Sequence, residues 1–142
     1  MAPGIANHRV TAGHQLFRKR RVLLVDEDFR DLQYYCAILE QEGYEVEACG
    51  SYPEGAQRLQ SGRFDFVVVC QGSRAFEGRA LLEQVMMIDR HTPVLVLTRS
   101  VDMNCYLEAM QLGAVDYLEK PLPAAEILRI VEIHLRPRAT SA

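Results

Sequence analysis

Five side chains that can do chemistry stand where apolar runs of this sequence stop. Asp26 and Glu27 close Arg21-Val22-Leu23-Leu24-Val25, Cys70 closes Phe66-Val67-Val68-Val69, and Thr98 closes Pro93-Val94-Leu95-Val96-Leu97. Lys120 stands just past the stretch at 115–118. Paired carboxylates can hold a divalent cation or an ammonium, a hydroxyl and an ammonium can contact an anion, and a thiol is a nucleophile once ionised. Of 16 basic residues, 14 are arginine, so Lys19 and Lys120 stand apart. A site needing a compact point charge rather than a planar fork accounts for Lys120. An acidic pair after a strand is also a common helix start, so the joint placement carries the meaning.

Strands and helices must alternate to bring these groups together. The runs at 21–25, 66–70 and 93–98 are continuously apolar, as strands buried on both faces are. Residues 44–49 alternate like a more exposed strand, and 115–118 make a brief fifth. Residues 28–42 carry Leu32, Tyr35, Cys36, Ile38 and Leu39 at helical spacing, with Gly43 as the stop. Helices are also predicted over 54–59, 76–89, 102–112 (ended by Gly113) and 123–135 (Pro123 at its start). Five strands alternating with five helices imply an α/β fold: a three-layer α/β/α arrangement around a five-stranded parallel sheet with right-handed crossovers. Functional groups in such a sheet collect at the carboxyl ends of the strands, where strand order reverses. All five side chains fall there.

The chain's 142 residues, 49% hydrophobic, suit one globular domain, expected over 20–136 between a mobile tail at 1–19 and a short one at 137–142. The basic cluster Arg18-Lys19-Arg20-Arg21 reads as a solvated lead-in to the first strand. A net charge of −3 does not point to nucleic acid or an anionic membrane. No apolar stretch nears the ~18 residues that span a bilayer, and residues 1–15 lack the pattern of a secretion signal. Four cysteines (Cys36, Cys49, Cys70, Cys105) lie far apart with no metal-ligand spacing, which suggests reduced thiols. A cytoplasmic protein is expected.

From about residue 20 to 136 the chain resembles the receiver domain of bacterial two-component response regulators, through VLLVDEDF (22–29), FDFVVVC (64–70), PVLVLT (93–98) and LGAVDYLEKP (112–121). The resemblance implies a (βα)5 flavodoxin-like receiver fold. It also implies a histidine kinase that phosphorylates an aspartate ending the third strand, Mg²⁺ held by that aspartate and an acidic pair, and a Thr or Ser and a Lys on the phosphoryl group. Asp26 and Glu27 match the acidic pair, Thr98 the hydroxyl and Lys120 the lysine. Pro121 follows in a bond the family usually holds cis, and Tyr117 matches an aromatic that reports the state to partners. Cys70 stands at the phosphoacceptor position. The neighbours depart too: Gln71-Gly72-Ser73-Arg74 replaces a segment that commonly ends Met-Pro, and Arg99 replaces a small residue.

A thiol at position 70 removes one carboxylate and offers sulfur to an ion that prefers oxygen in octahedral geometry. Mg²⁺ is therefore expected to bind weakly at Asp26 and Glu27 or to be lost, and no other cofactor is implied. Burial and the nearby carboxylates should raise the thiol above its usual pKa of about 8.5, so phosphocysteine is not expected. Arg74 and Arg99, at the altered rim, suggest a guanidinium on Asp26 or Glu27 in place of the ion. The expected function is a non-enzymatic receiver module in phosphorelay signalling, not phosphorylated at the usual site. It would act by contact with a histidine kinase, an output protein or another regulator, and a homodimer is compatible with this. The expected face is the fourth helix, fifth strand and fifth helix, with Tyr106, Leu112, Tyr117 and Arg129. No DNA-binding or catalytic output segment is seen in the sequence, so any effect is expected through another protein. One alternative is a redox sensor at Cys70; the acidic neighbours work against a low thiol pKa, and the sequence does not place Cys49 or Cys105 close enough to resolve it. Another is a haloacid-dehalogenase-like phosphatase using Asp26-Glu27-Asp28, Thr98 and Lys120; its further acidic motif would have to come from Glu126 or Glu132, inside the last helix. A flavodoxin-like cofactor site fits worse, because the acidic loop after the first strand repels a phosphate.

Overall fold

Strands that are apolar on both sides need helices on both sides, and the alternation of the chain supplies them. The computed structural model describes residues 18–135. In order these form β1 (Arg21–Val25), α1 (Phe29–Gln41), β2 (Glu45–Cys49), α2 (Tyr52–Ser61), β3 (Phe66–Gln71), α3 (Arg79–Ile88), β4 (Val94–Thr98), α4 (Met103–Leu112), β5 (Asp116–Glu119) and α5 (Ala124–Leu135). Apart from Arg18 and Lys19, the two expected tails lie outside the described residues, as does Arg136. All pairings are parallel and the strand order is β2-β1-β3-β4-β5. The order reverses between β1 and β3, so a crevice opens at their carboxyl ends.

The two-residue period of the inner strands divides the core. Leu23, Val25, Val67, Val69, Val94 and Val96 pack with Leu59 of α2, Leu81, Leu82 and Val85 of α3, and Cys105 and Ala109 of α4. Val22, Leu24, Phe66, Val68, Cys70, Leu95 and Leu97 face the other layer, with Leu32, Tyr35 and Leu39 of α1 and Ile127, Ile130 and Val131 of α5. The sheet is thus the middle layer of a three-layer α/β/α fold. Edge strand β2 buries only Cys49, which explains its alternating sequence. Gly43 and Gly113 end their helices at φ 105 and φ 113, where a side chain would be strained. Among the described residues, no helix is long and apolar enough to cross a membrane.

Two boundaries differ from the sequence expectation in ways that shape the crevice. β3 continues one residue past Cys70, because Gln71 pairs with Thr98 of β4. α3 begins at Arg79 rather than at residue 76, behind Gly78 as its N-cap. Gly78 is there for space: a Cβ would stand 2.4 Å from Val69 Cγ1. Its N–H donates to Gln71 Oε1 at 3.2 Å, tying the root of the turn to the end of β3.

Candidate functional site

The turn after β1 is built from carboxylates accepting backbone N–H groups. Asp26 Oδ1 accepts from Asp28 N at 2.9 Å, and Asp28 Oδ1 accepts from Asp31 N at 3.0 Å as the N-cap of α1. This fixes Asp31, in the first helical turn, beside the end of β5. Lys120 arrives there just past β5, ahead of a cis bond to Pro121. Leu122 N then donates to Tyr35 Oη at 3.0 Å, pinning this segment to α1. Lys120 Nζ donates to Asp26 Oδ2 at 2.7 Å and to Asp31 Oδ2 at 2.9 Å. Arg99, one residue past β4, donates from Nη2 to Asp28 Oδ2 at 3.0 Å and to Asp31 Oδ2 at 2.5 Å. Three carboxylates and two cations from three segments thus form one connected network. A pocket of about 240 Å³ opens beside it, lined by Asp26, Glu27, Asp28, Tyr52, Gln71, Gly72, Glu77, Arg99 and Lys120.

Cys70 is fully buried and faces α1 and α5. Its carbonyl accepts from Tyr52 Oη at 2.7 Å. Burial, reinforced by the Asp26 carboxylate, pushes the thiol well above its ordinary pKa; Lys120 opposes this without cancelling it. Cys70 is therefore a neutral thiol at physiological pH. Burial on its own would drive the Lys120 ammonium down. The anionic form of Cys70 and the hydrogen bonds to Asp26 and Asp31 outweigh it, and the lysine lies above its ordinary value. With Cys70 neutral, the two carboxylates are what keep the ammonium charged.

These donors do not fit the Mg²⁺ that the fold implies. Both Asp26 oxygens are engaged, one by Asp28 N and one by Lys120. The buried sulfur is protonated and a poor ligand for a hard cation. Among the described residues, no group of three or more His, Cys, Asp or Glu side chains is placed to hold a metal ion.

The expected pairing of Arg74 or Arg99 with Asp26 or Glu27 needs correction. Arg99 reaches Asp28 and Asp31 instead, because Lys120 already occupies Asp26. Arg74 is exposed and, among the described residues, makes no ion pair; the 72–78 turn carries it toward α4, where its carbonyl accepts from Cys105 Sγ at 3.0 Å. Glu27 is exposed at the pocket mouth. Thr98 Oγ1 donates to Ser100 O at 3.0 Å and accepts from Ser100 N at 3.1 Å. Tyr117 is buried, its hydroxyl accepting from Asp102 N at 3.2 Å and its ring edge-on to Tyr106. Gln71 is buried with its Nε2 unpartnered, and Gly72 N donates to Glu77 Oε1. Leu112 packs on the core rather than standing free, and Arg129 pairs with Glu126. Asp31 and Tyr52 escaped the sequence reading. A carboxylate three residues after an N-cap reads as a helix-dipole partner, and a tyrosine at the head of a helix reads as packing.

A family model described as the response regulator receiver domain matches residues 22–132. The transcriptional regulatory protein ZraR of Escherichia coli (strain K12) is 30% identical over 101 residues, which cover 71% of this chain and 23% of that protein. The alginate biosynthesis transcriptional regulatory protein AlgB of Pseudomonas aeruginosa is 31% identical over 129 residues, covering 86% of this chain and 29% of that protein. The chain thus spans about a quarter of the length of these relatives, at 23% and 29%. The crystal structure of a CheY-like response regulator receiver domain protein from Methanospirillum hungatei JF-1 superposes with a TM-score of 0.77 at 26% identity, covering 82% of this chain and 94% of that one.

Proposed function

The chain belongs to the response regulator receiver domain family, and from that premise we propose that it is a receiver module of two-component signalling that works without phosphorylation at position 70. The observation that carries this reading is the full burial of the Cys70 thiol beside a lysine already held by two carboxylates. A thiol is a poor acceptor for a phosphoryl group unless ionised, and the surroundings oppose ionisation. The acidic pair Asp26 and Glu27 retains at most weak Mg²⁺ affinity, since Asp26 is committed to Lys120.

The module acts by protein contact, without catalysis of its own and without touching nucleic acid or membrane, in the cytoplasm. Its partner is a histidine kinase, an output protein or another regulator, docking on α4, β5 and α5; a second copy could use the same face. Exposed Met103, Tyr106 and Leu107 on α4 support this surface, and the edge-on contact of Tyr106 with Tyr117 connects it to the site. The redox reading draws less support. Cys49 and Cys105 lie in the core layer opposite Cys70, across the sheet.

Acetyl phosphate treatment followed by intact-mass measurement tests the proposal. The wild type should gain no phosphoryl group, whereas Cys70→Asp should gain one in part. A phosphoryl adduct on the wild type refutes it.

A further inference from the structure

Asp31 is the one carboxylate that touches both cations of the crevice. Its Oδ2 accepts from Lys120 Nζ at 2.9 Å and from Arg99 Nη2 at 2.5 Å. Each cation has a second carboxylate, Asp26 for Lys120 and Asp28 for Arg99, but neither of those reaches across. Asp31 therefore joins the segment after β5 to the segment after β4. The β4 segment runs directly into the loop where Thr98 closes on Ser100 and Asp102 N reaches Tyr117 Oη.

We propose that Asp31 is a built-in anion that clamps Lys120 to Arg99, so that the chain's own carboxylate holds the β4–α4 loop and Tyr117 in one arrangement. The inference rests on the reading of Cys70 given above and deepens it: the site is closed from within as well as deprived of its acceptor. Asp31 is a positioning residue, acting through Arg99 and Lys120. A carboxylate introduced at position 70 would meet Asp31 and Asp26 as like charges and find Lys120 engaged, so reversal at 70 alone restores little. Removing one nearby like charge close to a protein surface changes anion affinity by about tenfold.

The test compares wild type, Asp31→Asn, Cys70→Asp and the double variant. Amide NMR of Asp31→Asn should show shifts across residues 99–102 and at Tyr117, far along the chain from the substitution. Beryllofluoride with Mg²⁺ should bind the double variant about tenfold tighter than Cys70→Asp. Arg99→Gln, which opens the half-exposed side of the clamp, should move the same loop signals and stands in if Asp31→Asn fails to fold. Shifts confined to α1 in these variants, or equal beryllofluoride affinity with and without Asp31, overturn the clamp. Beryllofluoride binding to the wild type would instead refute the reading of Cys70, while the loop shifts would still judge Asp31.

Discussion

Lys120 and Arg99 grip the same oxygen of Asp31 from opposite sides of the solvent boundary. The lysine side chain is 2% exposed and the arginine side chain 49%. Both are ion pairs with good geometry, yet they differ in what replaces them when broken. Water can solvate Asp31 and Arg99 after the outer pair parts. Asp26, which is 3% exposed, gains far less from water once Lys120 has gone. The buried arm of the network therefore holds the structure together, and the exposed arm sets how the loop beyond β4 is held.

The largest effect should follow Lys120→Met, which keeps the stem and removes the charge. It leaves Asp26 buried without its partner, at a cost of about 3–5 kcal/mol. Urea unfolding should show a lower midpoint with an unchanged slope. A loss under about 1 kcal/mol would place Asp26 in contact with water and erase the contrast between the two arms. Arg99→Ala should cost only about 0.2–1 kcal/mol, and added salt should shrink that difference.

The smallest effect should come from acid. The hydrogen bond from Asp31 N, aided by Arg99, holds the Asp28 carboxyl below its ordinary pKa despite some desolvation. A carboxyl lowered in the folded state contributes stability in full above the unfolded value of about 3.9, and loses it as pH falls through the folded value. Carbon NMR titration of the Asp28 carboxyl should show that depressed midpoint. Arg99→Ala should raise it only partway, since the backbone hydrogen bond is the larger cause.

The buried arm was far more legible in the sequence than the exposed one. Short, β-branched apolar runs at 22–25, 66–69 and 94–97, alternating with helical stretches, read as interior parallel strands, and their order of succession brings the ends of β1, β3, β4 and β5 together. Asp26 stands out because it ends such a run, and Lys120 because it lies just past the brief fifth strand in a chain with only two lysines. Asp31 interrupts nothing. It sits on a helix among residues whose polarity is ordinary, and its role depends on how α1 lies over the sheet. Arg99 stands out in the sequence, but the expected partners, Asp26 or Glu27, are not the ones it takes: Lys120 claims Asp26, and the guanidinium goes to Asp28 and Asp31. The start of α3 was misjudged for a related reason: Phe76 has the right polarity for the helix but lies in the turn before it.

Gly78 carries a consequence for how freely this chain can vary. A methyl group there would press on Val69, the strand residue just before Cys70, at 2.4 Å, whereas a methyl at Gly72 meets nothing within 4 Å. A saturation library should find the two glycines behaving oppositely, with position 72 open to many residues and position 78 closed even to alanine. The tip of the turn is free to drift, while its root is fixed by the packing of the strand it leaves.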